Sequence, residues 1–183
     1  MPKVVIVNGS PNQHSRLTGL VQHVQQQLID QGVFGGIIHV ASLPADDLVQ
    51  AKFESKEIQL ANALVASADA VVFASPVYKA SYSGLLKTYL DLLPQNALAG
   101  KRITPVFIGG TIAHLLAVDF AFKPVASVLG ARHFTSLVYA VDTQVTRIDV
   151  NGEAGYELDS ELISRLNQAL AELIHELGEK VNA

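Results

Sequence analysis

The stretch Val4-Val5-Ile6-Val7-Asn8-Gly9-Ser10-Pro11 decides the fold. Four β-branched residues in a row, without polar alternation, predict a short strand covered on both faces. Asn-Gly-Ser-Pro then turns the chain sharply. From Ser15 to Gln31, apolar residues recur at Leu17, Leu20, Val21, Val24, Leu28 and Ile29, which is helical spacing, and Gly32 can cap that helix. Ile37 to Val40 reads as a second strand. Residues 43–56 read as a loop with a helical turn, and Glu57 to Ala66 as a helix. Ala70-Val71-Val72-Phe73-Ala74 repeats the opening pattern and closes at Ser75-Pro76.

Leu85, Leu86, Tyr89, Leu90 and Leu93 form a helical stripe that stops before Pro94. Ile103 to Ile108 is a strand running into Gly109-Gly110. Residues 113–129 read as a helix despite Pro124. His133 to Val141 reads as a strand, Asn151 to Gly155 as a loop, and Leu158 to Leu177 as the closing helix. Strands and helices alternate, so the expected class is α/β. A flavodoxin-like doubly wound five-stranded parallel sheet, order 2-1-3-4-5, with helices on both faces, fits the number of units. With 183 residues and no linker or repeat, a single domain over 1–183 is expected.

Hydrophobic residues make up 49% of the chain and charged residues 16%, so a sizeable core forms and disorder is excluded. Net charge is −4, which argues against a nucleic-acid partner. There is no cysteine, which removes disulfides, thiolate metal sites and Cys nucleophiles. No apolar run is long enough to span a bilayer, and Met1-Pro2-Lys3-Val4 does not open a leader, so a cytoplasmic protein is expected.

In an open parallel sheet, ligands bind beyond the carboxyl ends of the strands. Three strands end in loops with unusual composition: 8–18, 75–84 and 109–114. The first carries the hydroxyls of Ser10, Ser15 and Thr18, together with Asn12, Arg16 and the start of a helix. A helix N-terminus and a guanidinium suit a phosphate. The alternative is that Ser15 caps the helix and Arg16 is solvated. The second segment offers Pro76, Val77, Tyr78 and Lys79 as a flat, partly apolar wall against which a planar ring can lie. Alternatively its tyrosines pack under the next helix, Tyr82 before Tyr78. In the third, Gly109 and Gly110 permit close backbone approach to a ligand, or simply turn the chain. The six histidines show no metal-ligand spacing, and there is no G-x-S-x-G elbow. Chemistry is therefore expected from a bound cofactor. A phosphate loop with two ring-contacting segments points to flavin mononucleotide, FMN.

These motifs resemble those of the NAD(P)H-dependent FMN reductases. Gly9-Ser10-Pro11-Asn12-Gln13-His14-Ser15-Arg16 is similar to the family's G-S-P-R-x-x-S-R. Ser75-Pro76-Val77-Tyr78-Lys79-Ala80-Ser81-Tyr82-Ser83-Gly84-Leu85-Leu86-Lys87 is similar to [ST]-P-x-Y-x-x-S-x-S-G-x-L-K. The run from Gly109 to Pro124, including His114, resembles the reductases of alkanesulfonate-utilisation systems. The resemblance implies that Ser10, Ser15, Arg16 and Thr18 hold the FMN phosphate, with Asn12 also in the cofactor site. Pro76, Val77, Tyr78 and Lys79 would lie along the ring, with Gly109, Gly110 and Thr111 at its other edge, and Ser83 and His114 would also belong to the cofactor site. It implies hydride transfer from NADPH or NADH to FMN, no obligatory side-chain acid or base, and delivery of reduced FMN to a partner flavin-dependent monooxygenase.

Two positions depart from the family. Asn12 stands where the family often has Arg, so weaker FMN binding is expected. Phe120 stands where monooxygenase-supplying reductases often carry an inserted Tyr, so a π-bulge near 118–121 and a subunit interface are expected. A homo-oligomer, dimer or tetramer, is expected through helices 85–93 and 113–129. Two alternatives remain from the sequence: an FMN-retaining quinone or azo reductase, and a flavodoxin-type electron carrier.

Overall fold

The computed structural model describes residues 2–150 and 152–181. The elements are β1 (Val4–Asn8), α1 (Leu17–Asp30), β2 (Phe34–His39), α2 (Ala45–Val49), α3 (Lys56–Ala66), β3 (Ala70–Tyr78), β4 (Ser81–Tyr82), α4 (Gly84–Leu90), β5 (Arg102–Gly109), α5 (Lys123–Val128), β6 (His133–Phe134), β7 (Val138–Val141), β8 (Val145–Val150), β9 (Glu153–Leu158) and α6 (Ser160–Val181). The main sheet runs β2-β1-β3-β5 in parallel, and β6 and β7 share the outer edge of β5. This is the expected flavodoxin-like order, with its fifth strand broken into two pieces.

Successive strand residues face opposite sides of a sheet, and here both sides are apolar. Val5, Val7, Val71, Phe73, Ile103 and Phe107 pack under α3, α4 and the segment before α5. Val4, Ile6, Val72, Ala74, Val106 and Ile108 pack under α1 and α6. The unbroken apolar runs of the sequence are the consequence. Lys101 is a buried charge at the margin of this core. Its ammonium donates to the carbonyls of Ala66 (3.0 Å) and Ala68 (2.5 Å), where α3 ends. That position favours a cation, because the last carbonyls of a helix lack internal partners.

Several expected boundaries move. The second strand is Phe34–His39 rather than 37–40, and the closing helix begins at Ser160 rather than Leu158. The helix expected over 85–93 ends at Leu90. Residues 75–84 are not a loop. β3 continues to Tyr78 and reverses through Lys79 and Ala80, both at positive φ (49° and 61°), into β4. Positive φ at both central residues is the two-residue hairpin turn that matches strand twist. The expected strand over 133–141 is interrupted after Phe134; the loop expected over 151–155 (Asn151 itself lies outside the described residues) is instead strand from Glu153, part of an antiparallel hairpin, β8–β9.

The helix expected over 113–129 is also broken. A 3-10 turn covers Ile112–His114, a π-turn covers Val118–Phe122, and α5 follows. The expected bulge near 118–121 is therefore present. Pro124 falls in the first turn of α5, where a missing N–H costs little. The extra residue in the π-turn places Phe122 fully inside and leaves Phe120 77% exposed. Phe122 sits among Phe73, Phe107 and Tyr82, at centroid distances of 5.2, 5.3 and 6.0 Å. Among the described residues, no helix is long and apolar enough to cross a membrane.

Truncating Phe122→Ala should cost about 3–5 kcal/mol in urea unfolding, because it empties the centre of this cluster. Burial pushes the Tyr82 phenol up to about 12, with the nearby Asp91 charge adding to it. The folded state then holds a proton that the unfolded chain loses near pH 10, the ordinary phenol value. Stability should be unaffected by this group below that pH and should fall between it and about pH 12, as read by unfolding midpoints across the range.

Candidate functional site

Strand register brings three chain reversals together. Asn8 lies beside Ala74, Pro76 beside Ile108, and Gly109 beside Val141. The segments leaving β1, β3 and β5 therefore share one edge of the sheet, as expected.

The segment after β1 is built on its own hydrogen bonds. Asn8 is buried, and its side-chain oxygen accepts from the Ser10 N–H at 3.0 Å. The Ser10 hydroxyl donates to the Asn12 carbonyl at 2.8 Å and lies 3.0 Å from the Ser15 hydroxyl. The Asn12 side-chain oxygen accepts from the His14 N–H at 2.8 Å, and the Thr18 hydroxyl donates to the Gln13 carbonyl at 2.7 Å. Ser15 does not cap the helix. Arg16 occupies the cap position, and the first turn of α1 carries neither an acidic residue nor a side-chain cap. The positive end of α1 is thus left to the cleft. Arg16 is not solvated either, since its Nε donates to the Val145 carbonyl at 2.9 Å.

The reversal after β3 is tied to that loop by hydroxyls. The Ser83 N–H donates to the Ser75 hydroxyl at 2.9 Å. The Ser83 hydroxyl donates to the Gly9 carbonyl at 2.6 Å and accepts from the Leu86 N–H at 3.0 Å, which caps α4. Tyr82 is buried, whereas Tyr78 is 52% exposed at the cleft mouth. After β5, a Cβ at Gly109 would collide with the Tyr139 hydroxyl, so only glycine fits. That hydroxyl donates to the Thr111 carbonyl at 2.9 Å. Burial, followed by the charge of Asp142, pushes the Tyr139 phenol up and keeps it a donor.

These parts enclose an open cleft of about 210 Å³. Asn12, Ser15, Arg16 and Leu17 line one end; Pro76, Val77 and Tyr78 form a wall; Ile108, Gly109, Gly110, Asp142 and Arg147 complete it. Two guanidiniums, a hydroxyl and a helix N-terminus make a donor set for a phosphate. The Pro76–Tyr78 wall opposite two glycines suits a flat ring. The residues present therefore fit FMN.

Eight of the fourteen expected residues line this cleft: Asn12, Ser15, Arg16, Pro76, Val77, Tyr78, Gly109 and Gly110. Ser10 is buried beneath it and positions Ser15. Ser83 is buried, with its hydroxyl used in both directions within the fold, so it acts as a joint. Thr18 turns its hydroxyl back onto the loop and lines a neighbouring groove with Gln22 and Tyr156. Lys79 sits at the hairpin tip, and Thr111 and His114 lie beyond the cleft lining. Asp142 and Arg147 escape the sequence reading because they come from the segment before the closing helix. The one available signal was strand-like alternation up to Asn151-Gly152.

A family model described as NADPH-dependent FMN reductase matches residues 2–146. An FMN reductase (NADPH) of Pseudomonas putida is 43% identical over 173 residues, covering 94% of this chain and 83% of that protein. An FMN reductase (NADPH) of Escherichia coli is 42% identical over 145 residues, covering 78% and 75%. The apo crystal structure of an NADH:FMN oxidoreductase, EMOB, superposes with a TM-score of 0.82 at 31% identity, covering 94% of this chain and 88% of that one. Family match, fold and cleft agree: the chain belongs to the NADPH-dependent FMN reductases.

Proposed function

We propose that this NAD(P)H-dependent FMN reductase treats FMN as a substrate and hands reduced FMN to a partner flavin-dependent monooxygenase of alkanesulfonate use. The observation that carries the reading is the economy of the phosphate loop. Ser10, Asn12 and Thr18 spend their side chains on the loop itself, which leaves Ser15 and the arginines to face the ligand. A grip of this kind suits flavin that comes and goes. The π-turn at Val118–Phe122 supports the same reading, since such turns concentrate at functional sites.

Bound FMN supplies the ring that accepts hydride from NAD(P)H. The chain's part is binding and orientation. Arg16 places positive charge at the phosphate end, held in position by the Val145 carbonyl. Pro76, Val77 and the half-exposed Tyr78 form the apolar wall. Gly109 lets the backbone approach closely, and Tyr139 fixes the Thr111 carbonyl behind it.

The proposed oligomer rests on one surface. α4, expected at the interface, buries Leu86, Tyr89 and Leu90 in its own core and so has less apolar surface to offer a second copy. Ile112, Leu116, Phe120 and Val128, by contrast, are all more than half exposed around the π-turn. Apolar groups gathered in this way favour cover by a second copy.

Anaerobic stopped-flow oxidation of NADPH should require added FMN, saturate in it and continue through many turnovers. A single turnover that restarts only with a quinone would instead identify a flavin-retaining reductase. Light scattering should give an assembly larger than the 19.6 kDa monomer. Phe120→Asp should shift that assembly towards monomer without changing the far-UV spectrum, since Phe120 contributes little to its own core.

A further inference from the structure

The phosphate loop is short of charge. From Asn8 to Thr18 its sole Lys or Arg is Arg16, and one of that guanidinium's donors is committed to Val145. Asn12 brings no charge, and its oxygen is committed to His14. A phosphate monoester carries about −1.5 to −2 charges at pH 7. A single guanidinium leaves much of that uncompensated.

The β8–β9 hairpin can make up the difference. The Arg16–Val145 bond joins residues 129 positions apart and fixes the first residue of β8 beside the loop. Side chains two residues apart on a strand share a face, so Arg147 leaves β8 on the Val145 side. It lines the same cleft as Asn12, Ser15 and Arg16. Its partner in the hairpin register is Tyr156. Tyr156 rests on α1 at Gly19, where a Cβ would stand 2.6 Å from the Tyr156 Cβ. Arg16 and Gly19 are one helical turn apart, so α1 holds the hairpin at two adjacent points. Asp142 is the acid in the cleft lining, and it sits towards Gly110, with Oδ2 3.8 Å from where a Cβ there would be. Two guanidiniums against one carboxylate leave the cleft positive.

We propose that Arg147 is a second cation for the FMN phosphate, delivered by the hairpin and standing in for the charge that the loop lacks at Asn12. This rests on the FMN reductase reading. The family model's own match ends at residue 146, one residue before this cation. It is solvent-exposed, and its contribution is accordingly screened by salt.

The test is equilibrium titration of flavin fluorescence on the full chain, with FMN and with riboflavin, which has no phosphate. Arg147→Gln should raise the FMN Kd by about ten-fold and leave the riboflavin Kd within about two-fold, the scale of a lost charge-assisted hydrogen bond. Arg147→Lys should recover part of the loss, and the salt dependence of FMN binding should become shallower in the Gln variant. Gly19→Val, which displaces Tyr156, should give the same selective loss. An unchanged FMN Kd, an equal rise for both flavins, or an unchanged FMN Kd with a raised KM for NADPH would each overturn the assignment while leaving the reductase reading intact. If the unaltered chain oxidises NADPH with neither flavin, the reading itself fails, and this assignment fails with it.

Discussion

The cleft depends on a buried hydroxyl. Ser83 donates to the Gly9 carbonyl, accepts from the Leu86 N–H and receives the chain reversal after β3 through Ser75. Without it, the segment after β1 and the hairpin after β3 would be two independent excursions from the sheet. With it, the two sides of the cleft keep a fixed separation. A buried hydroxyl that satisfies both donor and acceptor roles within the fold is stable there, whereas one left half-satisfied would oppose folding. The sheet supplies the other half of the constraint. Because both of its faces are apolar and covered, polar chemistry is confined to the strand ends.

A similar division of labour shapes the segment after β5. The π-turn rotates two phenylalanines into opposite roles: Phe122 fills the aromatic cluster, and Phe120 is offered to solvent. A regular helix would have kept one apolar stripe on one side. The extra residue thus converts core-forming sequence into surface without adding a separate element.

The sheet was legible because unbroken apolar runs, such as Ala70 to Ala74, have one interpretation once they are flanked by turns. Most of the cleft was legible too, since Arg16, Tyr78 and the paired glycines sit where strand ends must meet. Ser83 was misplaced as a ligand contact because a hydroxyl in a strand-end motif does not reveal which way it faces. The helix at 113–129 defeated the 3.6-residue period because its winding changes at Val118. The hairpin was missed because β8 is exposed after Val145, so the alternation of Ile148 and Val150 with Asp149 does not mark a core face. Arg147 and Asp142 were missed with it.

The bond between Arg16 and Val145 spans most of the chain. The sheet can assemble from neighbouring segments in sequence order, but this contact closes only when the last quarter of the protein is in place. Contacts of such long sequence separation form late, because the loop they close is entropically costly. The sheet face under α1 also waits for α6, which follows Val145 in the chain, so on a ribosome the core and this end of the cleft are both completed by that last quarter. The nascent reductase therefore gains its hold on flavin only as its core closes.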